Sequence, residues 1–133
     1  MNRYTKFDLQ DRLLDFAVRI IKVAESLPRS QIGVHVTGQL GRSGTSPAAN
    51  YSEAQGAESK NDFVHKLRLC LKELRETRVW LLITCRAELI KPMDKLAPLL
   101  QENEELIAIF VKSLETATKR KPITLNIEQE CSK

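Results

Sequence analysis

The stretch QLGRSGTSPAANYSEAQGAESKNDF, Gln39 to Phe63, decides the fold. It sets Gly41, Gly44 and Pro47 in the middle of a chain that otherwise reads as helix. A phosphate-cradling loop, a linker and a helix with an unusual packing face would each look like this. Hydrophobic spacing separates them. Ile32, Val36, Leu40, Gly44, Ala48 and Tyr51 repeat mostly at four-residue steps, so an apolar stripe runs through the stretch and argues against a linker. Pro47 conflicts with an uninterrupted helix, because it leaves the Ser43 carbonyl without its amide partner. Read the other way, Ser46 is an N-cap and Pro47 the first helical residue. The expectation is one long helix, kinked or locally opened near Gly44–Pro47, with two shorter helices as the alternative.

On the N-terminal side, Leu9, Leu13, Phe16, Ala17, Ile20, Ala24 and Leu27 fall on one helical face, and Pro28 ends that segment. On the C-terminal side, Ser59 caps a new helix with Asp62 three residues on. Its apolar face is Phe63, Leu67, Cys70, Leu71, Leu74, Leu81, Leu82, Cys85 and Leu89. Pro92 opens a last segment with Leu96, Leu99, Leu100, Leu106, Ile107, Phe110, Val111 and Leu114 inward. The predicted helices are 8–27, 31–57, 60–90 and 93–118, within a bundle spanning 1–119. Residues 120–133 are expected to form a flexible C-terminal tail. Short connections make neighbours antiparallel, so the fold class is all-α, an antiparallel up-down-up-down four-helix bundle.

The 133 residues fit one domain with a single core. The uncharged runs are shorter than the roughly 18 apolar residues of a membrane span. The start MNRYTKFDLQDR lacks the apolar core of a signal peptide. Cys70, Cys85 and Cys131 have no metal-ligand spacing and read as reduced thiols, which suits a cytoplasmic protein. The net charge of +4 is unevenly placed. Lys60–Lys91 carries 8 basic and 4 acidic residues, while the rest of the chain balances.

Chemistry is thinly represented. Gly33 and Gly38 have P-loop spacing, but Gln39-Leu40 stands where a lysine followed by Ser or Thr would be needed. Di-metal bundles use Glu-x-x-His pairs, and neither His35 nor His65 has a carboxylate three residues before it. No metal, cofactor or catalytic residue is therefore assigned. Cys70 and Cys85 lie on or near the apolar face, where a thiol acts as a small hydrophobe. Glu73 and Glu76 share a face, as do Asn50 and Glu53. With Arg42 they form a candidate structural polar network. Lys66, Arg68, Lys72, Arg75, Arg78 and Arg86 lie off the apolar positions of the third helix and form a candidate nucleic-acid-binding face. The plain alternative is a solvated face with helix-supporting pairs such as Lys72–Glu76.

Gln39-Leu40, Arg42, Ser46, Ala49-Asn50 and Glu53, followed by Lys60, Asp62-Phe63, Leu67, Leu74, Glu76-Thr77 and Trp80-Leu81-Leu82, resemble the four-helix bundle family encoded by 23S rRNA intervening sequences. The likeness covers about Phe7 to Leu114. That family is similar to the accessory variability protein of diversity-generating retroelements, which pairs with a reverse transcriptase and binds nucleic acid. The resemblance implies a ring-shaped homopentamer and no catalytic residues. The chain departs from the family pattern at Tyr51 and at Ala54-Gln55, which bears on where the second helix ends. The functional expectation is a non-enzymatic oligomeric bundle that binds structured RNA or DNA through its basic face. The alternative is a protein-interaction adaptor for a nucleic-acid enzyme such as a reverse transcriptase.

Overall fold

A computed structural model describes residues 8–119. The tail predicted for 120–133, including Cys131, lies outside the described residues. Four helices follow one another: α1 (Leu9–Glu25), α2 (Gln31–Gln55), α3 (Lys60–Arg86) and α4 (Ala97–Thr118). A 3₁₀ turn, Met93–Leu96, leads into α4. Each helix packs on the next in the chain and α1 also meets α4, so the arrangement is an all-α four-helix bundle.

Local chemistry sets the helix starts. The Asp8 carboxylate accepts from the Asp11 amide at 3.1 Å, Ser30 Oγ from Gly33 at 3.1 Å and Ser59 Oγ from Asp62 at 3.0 Å. Each satisfies an amide that has no partner inside its helix. The α1 stripe is buried as the spacing requires, from Leu9 through Phe16 and Ile20 to Leu27. It meets Val36 and Leu40 of α2, Leu67, Leu74 and Leu81 of α3, and Leu99, Leu106, Phe110 and Leu114 of α4 in one core.

The expected single long helix around Pro47 is found: α2 is continuous from Gln31 to Gln55, so Ser46 is not an N-cap and the two-helix alternative falls, while two other expectations change. The Pro47 ring is buried, and that burial offsets part of the roughly 3 kcal/mol an interior proline costs. Ile32, placed on the apolar stripe, is 65% exposed. Gly33 takes the inward position in that first turn, where a Cβ would lie 1.9 Å from the Pro28 carbonyl oxygen. Finally, α3 stops at Arg86 rather than near Ile90. Glu88 adopts the left-handed conformation at φ 55°, and the Leu89 amide donates back to the Thr84 carbonyl at 3.0 Å, closing the helix end.

Gly44 explains the small-residue stretch that seemed loop-like. It is buried against α1, where a Cβ would stand 2.5 Å from Ile20 Cγ2. The two helices approach too closely there for any side chain on α2. Nearby, the Thr37 hydroxyl shares its single proton between the Gly33 carbonyl of its own helix at 2.8 Å and the Ala24 carbonyl of α1 at 3.1 Å.

Candidate nucleic-acid interface

The site is built on α3. Arg68, Arg75 and Arg86 are separated by seven and eleven residues, close to whole numbers of turns at about 3.6 residues each, so they share one strip of the helix. Lys72 lies one turn after Arg68. All four are exposed, and among the described residues none has a carboxylate within 4.0 Å. The strip spans roughly 27 Å, at about 1.5 Å of rise per residue. The other two candidates differ. Lys66 Nζ donates to Glu53 Oε1 at 2.7 Å, and Arg78 Nε to Glu104 Oε2 at 2.7 Å. Their charges are compensated by α2 and α4, so four of the six form the open cationic strip.

That strip is not uniformly polar. Val79 and Ile83, 50% and 39% exposed, sit between Arg75 and Arg86, with Leu82 beside them. Sequence reasoning assigned Leu82 to the core and singled out neither of the others.

The five residues of the expected polar network also divide. Arg42 of α2 donates to Glu73 of α3 at 3.1 Å and to Glu76. Trp80 Nε1 donates to the same Glu76 carboxylate at 3.1 Å, and His35 of α2 stands edge-on to Trp80 at 5.7 Å. The Arg42 guanidinium, with help from the indole N–H, holds the Glu76 carboxyl below the usual carboxylate range. Asn50 and Glu53 are elsewhere. Asn50 Nδ2 donates to Ser46 Oγ at 2.9 Å, and Glu53 holds Lys66. Trp80 was readable as the i+4 neighbour of Glu76; the part played by His35 was not.

A second polar seam joins α1 to α4. The Arg12 guanidinium grips Glu102 through two bonds of 2.8 Å and reaches Glu105 at 2.6 Å. This fork-to-carboxylate geometry ties the first helix to the last. No local spacing predicts it, because the partners stand about 90 residues apart.

Among the described residues no group of three or more His, Cys, Asp or Glu could hold a metal ion. No helix among them is long and apolar enough to cross a membrane. Cys70 is buried, and burial pushes its thiol up to about 12. Its Sγ–H donates to the Pro47 carbonyl at 3.5 Å. Such a thiol is a poor nucleophile. In the native protein Cys70 should resist a thiol reagent that modifies it readily in urea. Because the folded form keeps the proton to higher pH, this group's contribution to stability is fully present below about pH 9. It is lost as pH rises through the folded value of about 12. Urea melts at pH 8 and pH 10, compared with those of Cys70→Ala, test the sign.

These features define a class: an all-α bundle whose polar seams and apolar patches lie on the outer faces of its helices. The chain belongs to the 23S rRNA-intervening sequence protein family, whose model matches residues 5–112. It is similar to the crystal structure of a protein of unknown function from the S23 ribosomal protein family of Bacteroides thetaiotaomicron. That likeness has 33% identity and a TM-score of 0.75, and covers 81% of this chain and 99% of that one. No protein of curated function matches the chain.

Proposed function

We propose that this chain is a non-enzymatic, oligomeric bundle that binds structured RNA or other nucleic acid through the cationic strip of α3. The observation that carries the reading is the alignment of Arg68, Lys72, Arg75 and Arg86 on one exposed face with no carboxylate within 4.0 Å among the described residues. Arg12, Arg42 and Arg78 are tied to carboxylates, while Arg19 and Arg29 are exposed without one within 4.0 Å among the described residues but do not lie on this strip. Four open cations on a strip of roughly 27 Å match a row of backbone phosphates in reach, though not in sequence preference. Repetition of the strip around a homopentamer, as the family resemblance implies, would turn a modest patch into a large positive surface.

Fluorescence anisotropy against an rRNA hairpin and a random duplex tests the reading. For four phosphate contacts, affinity should fall about a hundredfold between roughly 50 and 200 mM salt. The triple variant Arg68→Gln, Lys72→Gln, Arg75→Gln should lower the salt slope by about three contacts. Lys66→Gln with Arg78→Gln should change it far less, because both side chains already hold carboxylates. Absence of binding at roughly 50 mM salt would remove the nucleic-acid reading. The exposed Val79 and Ile83 favour a second reading, a protein-interaction adaptor for a nucleic-acid enzyme such as a reverse transcriptase. Binding to such an enzyme with none to RNA or DNA would select it.

A further inference from the structure

Where α1 ends and α3 passes into α4, the end of the bundle carries a cleft of about 530 Å³ that shares no residue with the α3 strip. A volume of this order suits a small molecule. Its floor is apolar: Val23 of α1, Leu89 and Ile90 of the α3–α4 connection, and Leu96 of the 3₁₀ turn. Lys22, Lys91 and Lys95 stand around that floor. They come from three separate stretches of chain and converge only in the folded protein. All three are exposed, and among the described residues no carboxylate lines the cleft. Lys22 and Lys95 have no carboxylate within 4.0 Å among those residues. Lys91 has Glu88 at 3.8 Å, a loose pair between side chains 74% and 61% exposed, and such a pair contributes little. A cation in the last turn of α1 suits that helix end by itself, so Lys22 alone would imply no ligand. Lys91 lies in no helix, and Lys95 lies in a turn that runs on into α4, so helix ends do not account for them.

The residue types narrow the ligand. Three convergent ammonium groups fit a multiply charged anion such as a phosphate monoester. Bare phosphate would leave the apolar floor facing water. The hydroxyl of Ser26, also at the cleft, commits its proton to the Val23 carbonyl at 2.7 Å. Apart from the lysines, then, no lining side chain has a donor to offer. The ligand therefore has an anionic end and a body that makes few hydrogen bonds. A nucleoside phosphate has both, because the face of a base is a π surface.

We infer that the cleft binds a nucleoside phosphate, with the phosphate among Lys22, Lys91 and Lys95 and the base over Val23, Leu89, Ile90 and Leu96. No side chain there reads base edges, so purine and pyrimidine are taken alike. Two sources share this chemistry, a free mononucleotide and the phosphorylated end of an RNA strand. Leu89–Lys91 follow Arg86, the last cation of the strip, by three to five residues. The second source rests on the nucleic-acid reading above; the site itself does not.

Isothermal titration calorimetry of the full chain at roughly 50 mM salt tests the site. AMP and CMP should bind with similar affinity. Adenosine, which lacks the phosphate, and ribose 5-phosphate, which lacks the base, should each bind at least about tenfold more weakly. Lys22→Gln and Lys95→Gln should each weaken AMP binding by about tenfold, the strength of one charge-assisted hydrogen bond. Both side chains are exposed, so the fold should hold, and circular dichroism checks it. Lys112→Gln, also exposed and roughly 24 Å along α4 from Leu96, should leave AMP binding unchanged. No binding of AMP, or binding that Lys22→Gln and Lys95→Gln leave intact, would overturn the site. Ribose 5-phosphate bound as tightly as AMP would overturn the place given to the base. Competition assigns the source. A short single-stranded RNA whose 5′-phosphate form displaces AMP better than its 5′-hydroxyl form points to the RNA end; equal displacement points to the free nucleotide. The duplex titration above reads the strip and AMP reads the cleft, so either can fail alone.

Discussion

Gly44→Ala is expected to destabilise the protein by about 2 kcal/mol, although alanine is the better helix former. Two effects oppose each other. Alanine gains up to about 1 kcal/mol over glycine inside a helix. The new methyl, however, would stand 2.5 Å from Ile20 Cγ2, 2.7 Å from Cγ1 and 3.0 Å from Cβ. Ile20 has no exposed surface and lies within the core. It has nowhere to turn, so α1 must move away, and overpacking of this kind costs about 1–3 kcal/mol, occasionally more. Gly44→Leu should exceed that range. The control is Gly41→Ala in dilute solution, where nothing lies within 4 Å of the new methyl and a gain of up to about 1 kcal/mol is expected. Urea unfolding of the three variants decides the matter. A Gly44→Ala protein as stable as Gly41→Ala would mean that the α1–α2 seam yields freely. The Ile20→Ala background adds a second check: there Gly44→Ala should cost less, because the two nearest atoms, Cγ1 and Cγ2, are gone and only Cβ at 3.0 Å remains.

Asn103→Asp is the other large effect, expected to cost about 3–5 kcal/mol at pH 7. Asn103 is fully buried on α4; its Nδ2 donates to the Leu74 carbonyl of α3 at 3.2 Å. Its Oδ1 has no donor among the described residues. An ionised aspartate there loses the one bond and places a charge in the core. Protonated, it could donate to the Leu74 carbonyl as the amide does. The folded form therefore holds its proton to higher pH than the unfolded chain does. The variant's deficit should shrink by about 1.4 kcal/mol per pH unit on acidification and close near pH 4. Asn103→Leu removes both the bond and the stranded oxygen in a similar volume. It should fold with stability equal to wild type or up to about 1 kcal/mol greater. Urea melts at pH 7 and near pH 4.5 separate the cases. A deficit of Asn103→Asp that is the same at both would show that water or another donor reaches the side chain.

The helices were legible because their causes are local. The α1 stripe reads directly from Leu9 to Leu27, and Ser59 announces the start of α3. Ile32 misled because a periodic match in a first turn does not say which residue turns inward, and the Pro28–Gly33 contact reverses the choice. Pro47 was expected within one long helix and lies within one. Its backbone penalty is local and visible, while the burial that offsets it comes from neighbouring helices. The cationic face was half legible. The strip of Arg68, Lys72, Arg75 and Arg86 follows from helical spacing, but Glu53 and Glu104 lie on other helices, and their capture of Lys66 and Arg78 does not.

Helix class, the number and order of the four helices, their caps and the concentration of positive charge on the third all follow from residue spacing and short-range hydrogen bonding. Those causes act within a few residues and survive in any tertiary setting. The tertiary structure alone decided which glycines have no room for a side chain, Gly33 and Gly44, which cations are compensated, and that Arg12 meets Glu102. Each of these depends on atoms distant in the chain coming within a few ångströms, and one-dimensional spacing carries no record of such distances.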